Sequence, residues 1–476
     1  MWPKPSSVFD REFEWGALTR LAGDDRLGAG LGLVYGRRRQ GKTLLVEMLA
    51  EAAGGLVVAG LEQSGAQNLA AVGERYARFR GLRAPVAFPG WREAVDELLA
   101  LGEGRPGPVP VVLDEFPYLV ASAPELPSVI QAALSPRGRA KRRSRARLVL
   151  CGSAFSVMEG LLGGTAPLRG RASMELLVHP FDFRTAAAFW EVAGEWDLAL
   201  RLHALVGGTP AYRGFASDRR PVSVGQLGRW VTSHLLNPAS AFFREGRVLL
   251  AEEMGVGEPA LYLSVLAAMA GGATRRGQIA AALGRKETAL AHPLRTLEET
   301  RLIRRVVNPL HERRSTYRIA EPMIRAHQLL IAPNEARLTR HQGAVVWEEA
   351  QATVESRIYG PHLEDLAREW TLLHAARDTL GGEPAETVGA AEVPCRAHRG
   401  HHVDVVAVHG GRVVALGEAK WRPVGPADAE RLRHIRDVTV NAGGARLLLF
   451  TAGPRPKQQL LGGVEVVDLE RLYTGA

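Results

Sequence analysis

The chain has 476 residues, 46% hydrophobic and 23% charged, a balance that excludes wholesale disorder and allows about three domains. A net charge of +9 permits a polyanionic partner without establishing one. No stretch approaches 18 uninterrupted apolar residues, which argues against a membrane-spanning helix, and MWPKPSSVFDREFEW lacks the long apolar core of a secretory signal.

Cys151 and Cys395 are the only cysteines. They are far apart, suit a reducing cytoplasm and make no zinc site. The expectation is a cytoplasmic protein with no membrane partner. Lysine occurs 6 times against 54 arginines, so the setting of each lysine is informative.

Residues 31–36, LGLVYG, form a short apolar run entering glycine. In the next segment Leu44, Leu45, Met48 and Leu49 recur with a helical period. Between strand and helix lies Gly36-Arg37-Arg38-Arg39-Gln40-Gly41-Lys42-Thr43, a full G-x-x-x-x-G-K-S/T loop. The glycines let successive N–H groups face phosphate oxygens, aided by the helix N-terminus. Lys42 is positioned for the β and γ phosphates and Thr43 for Mg²⁺. The expected nucleotide contacts run from Gly36 to Leu44.

VPVVLDEF, 109–116, is an apolar strand ending in Asp114 and Glu115. Asp114 would hold the Mg²⁺ shell, and Glu115 would polarise the attacking water. The run PRGRAKRRSRAR, 136–147, carries seven charges, all positive; it reads as a solvated loop or a nucleic-acid contact. A third strand, ARLVLCGSAF, ends near Ser153, which either senses the γ-phosphate through water or caps the next helix. The turn TAPLRGRASME supplies Arg169 and Arg171, either of which could complete a nucleotide site from a neighbouring element.

In order, VFDREFEWGALTRL, GRRRQGKT, VVLDEF, CGS, PLRGR and LVGGTPAYRGF resemble the archaeal-type AAA+ ATPases of the signal-transduction-like branch. Asp10 stands where that family's opening motif usually has glycine. Gly208-Thr209-Pro210 matches its GxP element, and Arg171 matches the arginine after its P-L-x-G turn. The resemblance spans roughly 8–330. It implies an ATPase using ATP and Mg²⁺, with Lys42, Glu115, Ser153 and Arg171 as its catalytic groups. A homo-oligomer or a protein partner is compatible with it.

From 216 to about 250 there are helical signals without recognisable chemistry. EPALYLSVLAAMAGG, TRRGQIAAALG, RKETALAHPLRTLEETRLI and RRVVNP…RRSTYRI then follow as helix, short helix, helix and two strands, a winged-helix pattern. Its second helix-turn-helix element would begin near Arg285, with Leu290, Leu294 and Leu297 inward. Such a helix often enters a DNA major groove. Glu287, Glu298 and Glu299 dilute its exposed face and Pro293 interrupts it, so a structural lid is the favoured role. A polar link lies near 333–342.

Beyond the link, Leu363, Leu366, Trp370 and Leu373 mark a helix's buried stripe, with Glu364 beside it. HHVDVVAV and RVVALGEAK are strands around His409-Gly410-Gly411, followed by a helix over 426–440 and two more strands. The expected order is α-β-β-α-β-β. Glu418 and Lys420 share a strand face by the two-residue period. A three-residue loop, or an equivalent bulge, would pair Asp404 with Leu416 and turn it to the same side. His401 and His402, adjacent in a strand, point oppositely: one core or edge histidine, one exposed.

Asp404, Glu418, Lys420 and Glu364 together resemble the PD-(D/E)xK nuclease superfamily, specifically the C-terminal domain often fused to the ATPase family above. Val403 stands where the motif has proline. The resemblance implies Mg²⁺ or Mn²⁺ held by Glu364, Asp404 and Glu418, with Lys420 as a catalytic group. The expected class is α/β: a P-loop AAA+-like ATPase core (1–215), a helical lid and winged-helix domain (216–335) and a restriction-endonuclease-like α/β domain (340–476). The leading function is an ATPase coupled to a metal-dependent nuclease acting on nucleic acid, DNA favoured. Alternatives are a nucleotide-switched DNA-binding regulator and an ATPase whose last domain binds protein.

Overall fold

The computed structural model describes residues 2–475 except 165, 218, 255–258, 312–313, 396–399 and 455–460. The chain divides into two compact units, Met1–Pro180 and Phe181–Ala476.

In the first unit, β1 (Gly30–Tyr35), β2 (Leu56–Ala59), β3 (Val109–Asp114), β4 (Ala146–Gly152) and β5 (Met174–Leu177) form a parallel sheet in the order β2-β3-β4-β1-β5. Alternation sends Val111 and Leu113 to a core with Leu31 and Leu33, and Val112 to one with Leu45 and Leu49. Both faces are covered, which is why β3 and β4 are buried along their whole length and mostly apolar. Because β4 lies between β1 and β3, the ends of those strands meet at one rim.

The basic run 136–147 is partly absorbed by this unit, while Arg137, Arg142 and Arg143 are exposed. Arg139 pairs with Glu103 at 2.8 Å. Lys141 donates to the Ala29 carbonyl at 2.6 Å, and buried Arg147 bonds the carbonyls of Asp24, Arg26 and Gly28. Lys141 and Arg147 thereby close the loop leading into β1.

The second unit contains the helices between 183 and 215, a group of helices with a two-stranded hairpin, and the last sheet. Phe183, Leu198 and Tyr212 share one core cluster with Leu363, Trp370, Val405 and Phe450. The unit limit therefore falls at Pro180/Phe181, ahead of the 215 limit expected from sequence. Helices Pro259–Ala270, Arg276–Ala282 and Ala291–Glu299 precede an antiparallel hairpin, β6 (Ile303–Val306) and β7 (Thr316–Ile319). Leu290, Leu294 and Leu297 are buried as expected. Pro293 does not interrupt the helix, because it occupies the first turn, where its missing N–H is not needed.

The last sheet has five strands in the order β12-β11-β10-β9-β8: β8 (Thr387–Val393), β9 (His401–His409), β10 (Arg412–Lys420), β11 (Arg446–Thr451) and β12 (Glu465–Val467). β8, β9 and β10 are antiparallel; β10, β11 and β12 are parallel. β8 is absent from the expected order, because its sequence TVGAAEV is mostly small residues with weak strand signals. Its Gly389 is required by packing, since a Cβ there would sit 1.9 Å from the Val307 carbonyl oxygen. One face packs on the Gly360–Leu373 helix and the other on the Pro426–Val438 helix. Leu363, Leu366 and Trp370 are buried, but Leu373 is 65% exposed at the helix end, contrary to expectation. Among the described residues no helix is long and apolar enough to cross a membrane.

Candidate nucleotide site and C-terminal acidic cluster

The loop from Gly36 to Gly41 joins β1 to the Lys42–Ala53 helix. Gly36 has φ +146°, and a Cβ there would meet the Val178 carbonyl at 2.4 Å, so only glycine fits. Gly41 at φ +85° caps the helix with nothing within 4 Å of its Cβ position. Lys42 is buried and donates to the Arg37 carbonyl at 2.7 Å, folding its ammonium back over the loop. Thr43 and Leu44 are exposed, whereas Arg37 and Gln40 are buried and Arg39 adopts φ +67°.

Asp114 ends β3 with 4% exposure and accepts the Glu115 N–H at 2.9 Å. Glu115 follows in the left-handed region at φ +48°, a costly conformation for a non-glycine residue that aims its side chain at the rim. Ser153 does not cap the next helix, where Ala154 holds the cap position. Its hydroxyl donates to Glu115 Oε2 at 3.2 Å and accepts from Arg38 Nε at 3.2 Å. Arg38 also donates to the Tyr118 hydroxyl at 2.6 Å. Burial, then the charge of Asp114, hold the Cys151 thiol well above its ordinary pKa, so it remains an uncharged neighbour of Asp114.

Arg11 is a contributor that the motifs did not single out. Asp10 and Arg11 both have positive φ, 53° and 70°, so aspartate takes the left-handed backbone at the position where the resemblance has glycine. This turns Arg11 to donate to the carbonyls of Gln40 at 3.3 Å and His179 at 2.8 Å, bracing the loop. Arg171 lies three residues ahead of β5, whose Met174 pairs with Gly32 near the start of β1. It donates to the Leu134 carbonyl at 3.5 Å, toward the sheet rim opposite the loop. Arg169 bonds the Gly164 carbonyl at 2.7 Å.

In the last sheet the turn is two glycines, Gly410 and Gly411 at φ 53° and 76°, with His409 opposite Arg412. A bulge between Val413 and Ala415 then shifts the register, so Leu416 pairs with Val406 and Gly417 with Val405. The expected pairing of Asp404 with Leu416 is not formed. A second irregularity leaves one residue of β8, Ala390, opposite Asp404 and Val405. It turns Asp404 toward the Gly360–Leu373 helix, while Glu418 faces the Pro426–Val438 helix.

The four expected residues therefore divide. Asp404 Oδ1 lies 3.4 Å from His402 Nε2, and its Oδ2 accepts the Ala419 N–H at 3.0 Å. Burial, then the nearby Glu364 charge, push the Asp404 carboxyl above the usual carboxylate range. Glu364, His402 and Asp404 each offer a ligand atom within 4.8 Å of the others. Glu418, 1% exposed, is bonded by Lys420 at 2.7 Å and Arg431 at 2.7 Å. Glu364 also accepts from Arg318 of β7 at 2.8 Å. Of the two histidines, His401 is buried and His402 exposed. His402 was legible as a partner of Asp404 by the two-residue period; Arg318 and Arg431 carried no local signal.

No family model matches the chain. An uncharacterised protein of Methanocaldococcus jannaschii is 24% identical over 407 residues, covering 84% of each chain. Among solved structures, the Walker-type ATPase of Pyrococcus abyssi matches with a TM-score of 0.50 at 20% identity, over 68% of this chain and 97% of its own. The ORC2 protein of Aeropyrum pernix matches with a TM-score of 0.44 at 16% identity, over 74% and 97%. The likeness to the Pyrococcus protein concerns fold: this chain shares the α/β architecture of that Walker-type ATPase, a parallel sheet with a glycine-framed loop at its rim, and carries a mixed-sheet domain after it.

Proposed function

We propose that the chain binds and hydrolyses ATP as a P-loop ATPase. The convergence of a glycine-framed loop, Lys42, Asp114, Glu115 and Ser153 at one rim of a parallel sheet carries this reading. A buried carboxylate on Asp114 and the hydroxyl of Thr43 at a helix start are hard oxygen donors that fit Mg²⁺. When bound, Mg²⁺ would neutralise charge on the phosphate oxygens. The loop N–H groups and the helix N-terminus hold the phosphates, while Lys42 leaves the Arg37 carbonyl for the β and γ oxygens. Glu115 orients the attacking water, and Ser153, bonded to both Glu115 and Arg38, senses the γ-phosphate. Arg171, toward the opposite rim, suits a finger acting on a second copy. The test is ATP binding and turnover by the whole chain beside Lys42→Ala. Loss of both supports the reading, and unchanged turnover overturns it.

A second reading, a metal-dependent nuclease-like site acting on DNA, rests on the Glu364–His402–Asp404 group. Two carboxylates and an imidazole fit Mn²⁺ or Mg²⁺; such an ion would polarise a phosphodiester. Glu418 and Lys420, paired on the other face, would act by supporting β10. Linear and circular DNA with Mg²⁺ or Mn²⁺, with and without ATP, beside Asp404→Ala, tests it. Cleavage by the wild type alone supports a nuclease coupled to the ATPase. Intact DNA throughout ends that reading for DNA and leaves the nucleotide-switched winged helix or a protein-binding last domain.

A further inference from the structure

The geometry points to a zinc-class metal site in the last domain, formed by Cys395, His401 and His434. These residues come from three segments: the chain just after β8, the first residue of β9 and the Pro426–Val438 helix. Each offers a ligand atom within 4.8 Å of the other two. Cys395 Sγ lies 3.4 Å from His434 Nε2, and the His401 and His434 rings stand edge to face with centroids 5.2 Å apart. A tetrahedral zinc with Zn–S of about 2.3 Å and Zn–N of about 2.0 Å places its sulfur and nitrogen ligands about 3.5 Å apart. The sulfur–nitrogen edge is already close to that spacing.

The ligand types choose the metal. A thiolate with two imidazoles favours Zn²⁺ and disfavours Mg²⁺, which takes oxygen donors. Three protein ligands leave a fourth position for water, and His434 is partly exposed, so solvent can reach the site. Two distant cysteines do not by themselves form such a site. The missing ligands are histidines, one of them at the start of β9 and the other distant in sequence.

The site is separate from the Glu364–His402–Asp404 group. His401 and His402 alternate in β9, so His401 turns to the Pro426–Val438 helix while His402 turns to Asp404. Arg431 joins the two neighbourhoods: its Nη1 lies 3.3 Å from His401 Nδ1 and its Nε bonds Glu418. A cation bound at His401 leaves Arg431 its bond to Glu418. It thereby ties Cys395, just past β8, to the helix that carries Arg431.

The experiment is titration of the full chain with Co²⁺, followed by displacement with Zn²⁺. The expected result is a thiolate-to-cobalt charge-transfer band and tetrahedral visible bands saturating at about one equivalent, absent from Cys395→Ser, weakened in His434→Ala and kept in Asp404→Ala. Only a thiolate site produces the first band, so the acidic group cannot mimic it. No band in the wild type, or a band that persists in Cys395→Ser, overturns the proposal. Should the variants fail to fold, alkylation of Cys395 in the wild type decides. One equivalent of Zn²⁺ should slow it about tenfold, reversibly with chelator; an unchanged rate overturns the site.

Discussion

The rim of the parallel sheet and the face of the last sheet that carries Asp404 use the same residue types in different ways. In the first unit, Asp114, Glu115, Lys42 and Ser153 hang from a loop and from neighbouring strand ends, and their mutual contacts are a few hydrogen bonds. In the last domain several acids are met by cations: Glu364 by Arg318, Glu418 by Lys420 and Arg431, and Asp365 by Arg304, Arg325 and Arg368. An acid beside a lysine is therefore an ambiguous signal. It marks a ligand site where backbone geometry holds the groups at an open rim, and an internal ion network where arginines close over it.

The largest effect should come from the rim. Glu115→Gln keeps the side chain's size and its bond from Ser153 but removes the charge that would orient water. Hydrolysis should fall about 100-fold or more, with ATP affinity nearly unchanged, as read by single-turnover kinetics and nucleotide titration. Equal turnover would show that the left-handed Glu115 is only a structural corner. Next comes the ion network. Asp365 is buried, and its carboxyl lies well below the usual carboxylate range against four arginines that outweigh its burial. Asp365→Ala should cost about 3 kcal/mol, because the buried guanidiniums lose their counter-charge, and should lower the urea midpoint of unfolding. The wild-type contribution is present above the unfolded carboxylate pKa and is lost as pH falls through the depressed folded one.

What could be read beforehand follows the same division. The nucleotide loop was legible because its chemistry is contiguous, and Asp114 and Ser153 because each ends an apolar strand. Arg11 was not, because its role is a bond to a distant carbonyl; Arg38 was legible as part of the loop, but its bonds to the distant hydroxyls of Ser153 and Tyr118 were not. In the last sheet the strands β9 to β12 were legible from alternation and apolar runs. Their register was not. Bulges between Val413 and Ala415 and at Asp404–Val405 move side chains between faces without leaving a composition signal. β8 stayed hidden because small residues under another segment need neither bulk nor alternation.

A smaller effect sharpens the contrast between open and closed acids. Arg318→Ala removes the β7 guanidinium from Glu364 while leaving Glu364, His402 and Asp404 in place. Mn²⁺ affinity, followed by electron paramagnetic resonance of the free ion, should rise about tenfold, the equivalent of about 1.4 kcal/mol. Unchanged affinity would mean that Arg318 is not what closes the group, and Asp404→Ala should abolish the gain.

A pH-dependent effect of similar size concerns an acid that burial raises instead of lowering. Glu369 shares the Gly360–Leu373 helix with Asp365, yet burial outweighs the attraction of Arg304 and pushes its pKa up to about 7. An unfolded glutamate titrates near 4.3. Between those values the unfolded chain ionises the group while the folded chain keeps it protonated, so stability falls as pH rises and levels off above the folded value. Glu369→Gln retains the neutral shape without that loss. The variant should match the wild type near pH 4.5 and become more stable by about 1–3 kcal/mol at pH 8, measured as paired urea midpoints. A constant difference across that range would assign the effect to packing; one that shrinks toward pH 8 would place Glu369 within reach of the arginines that already hold Asp365.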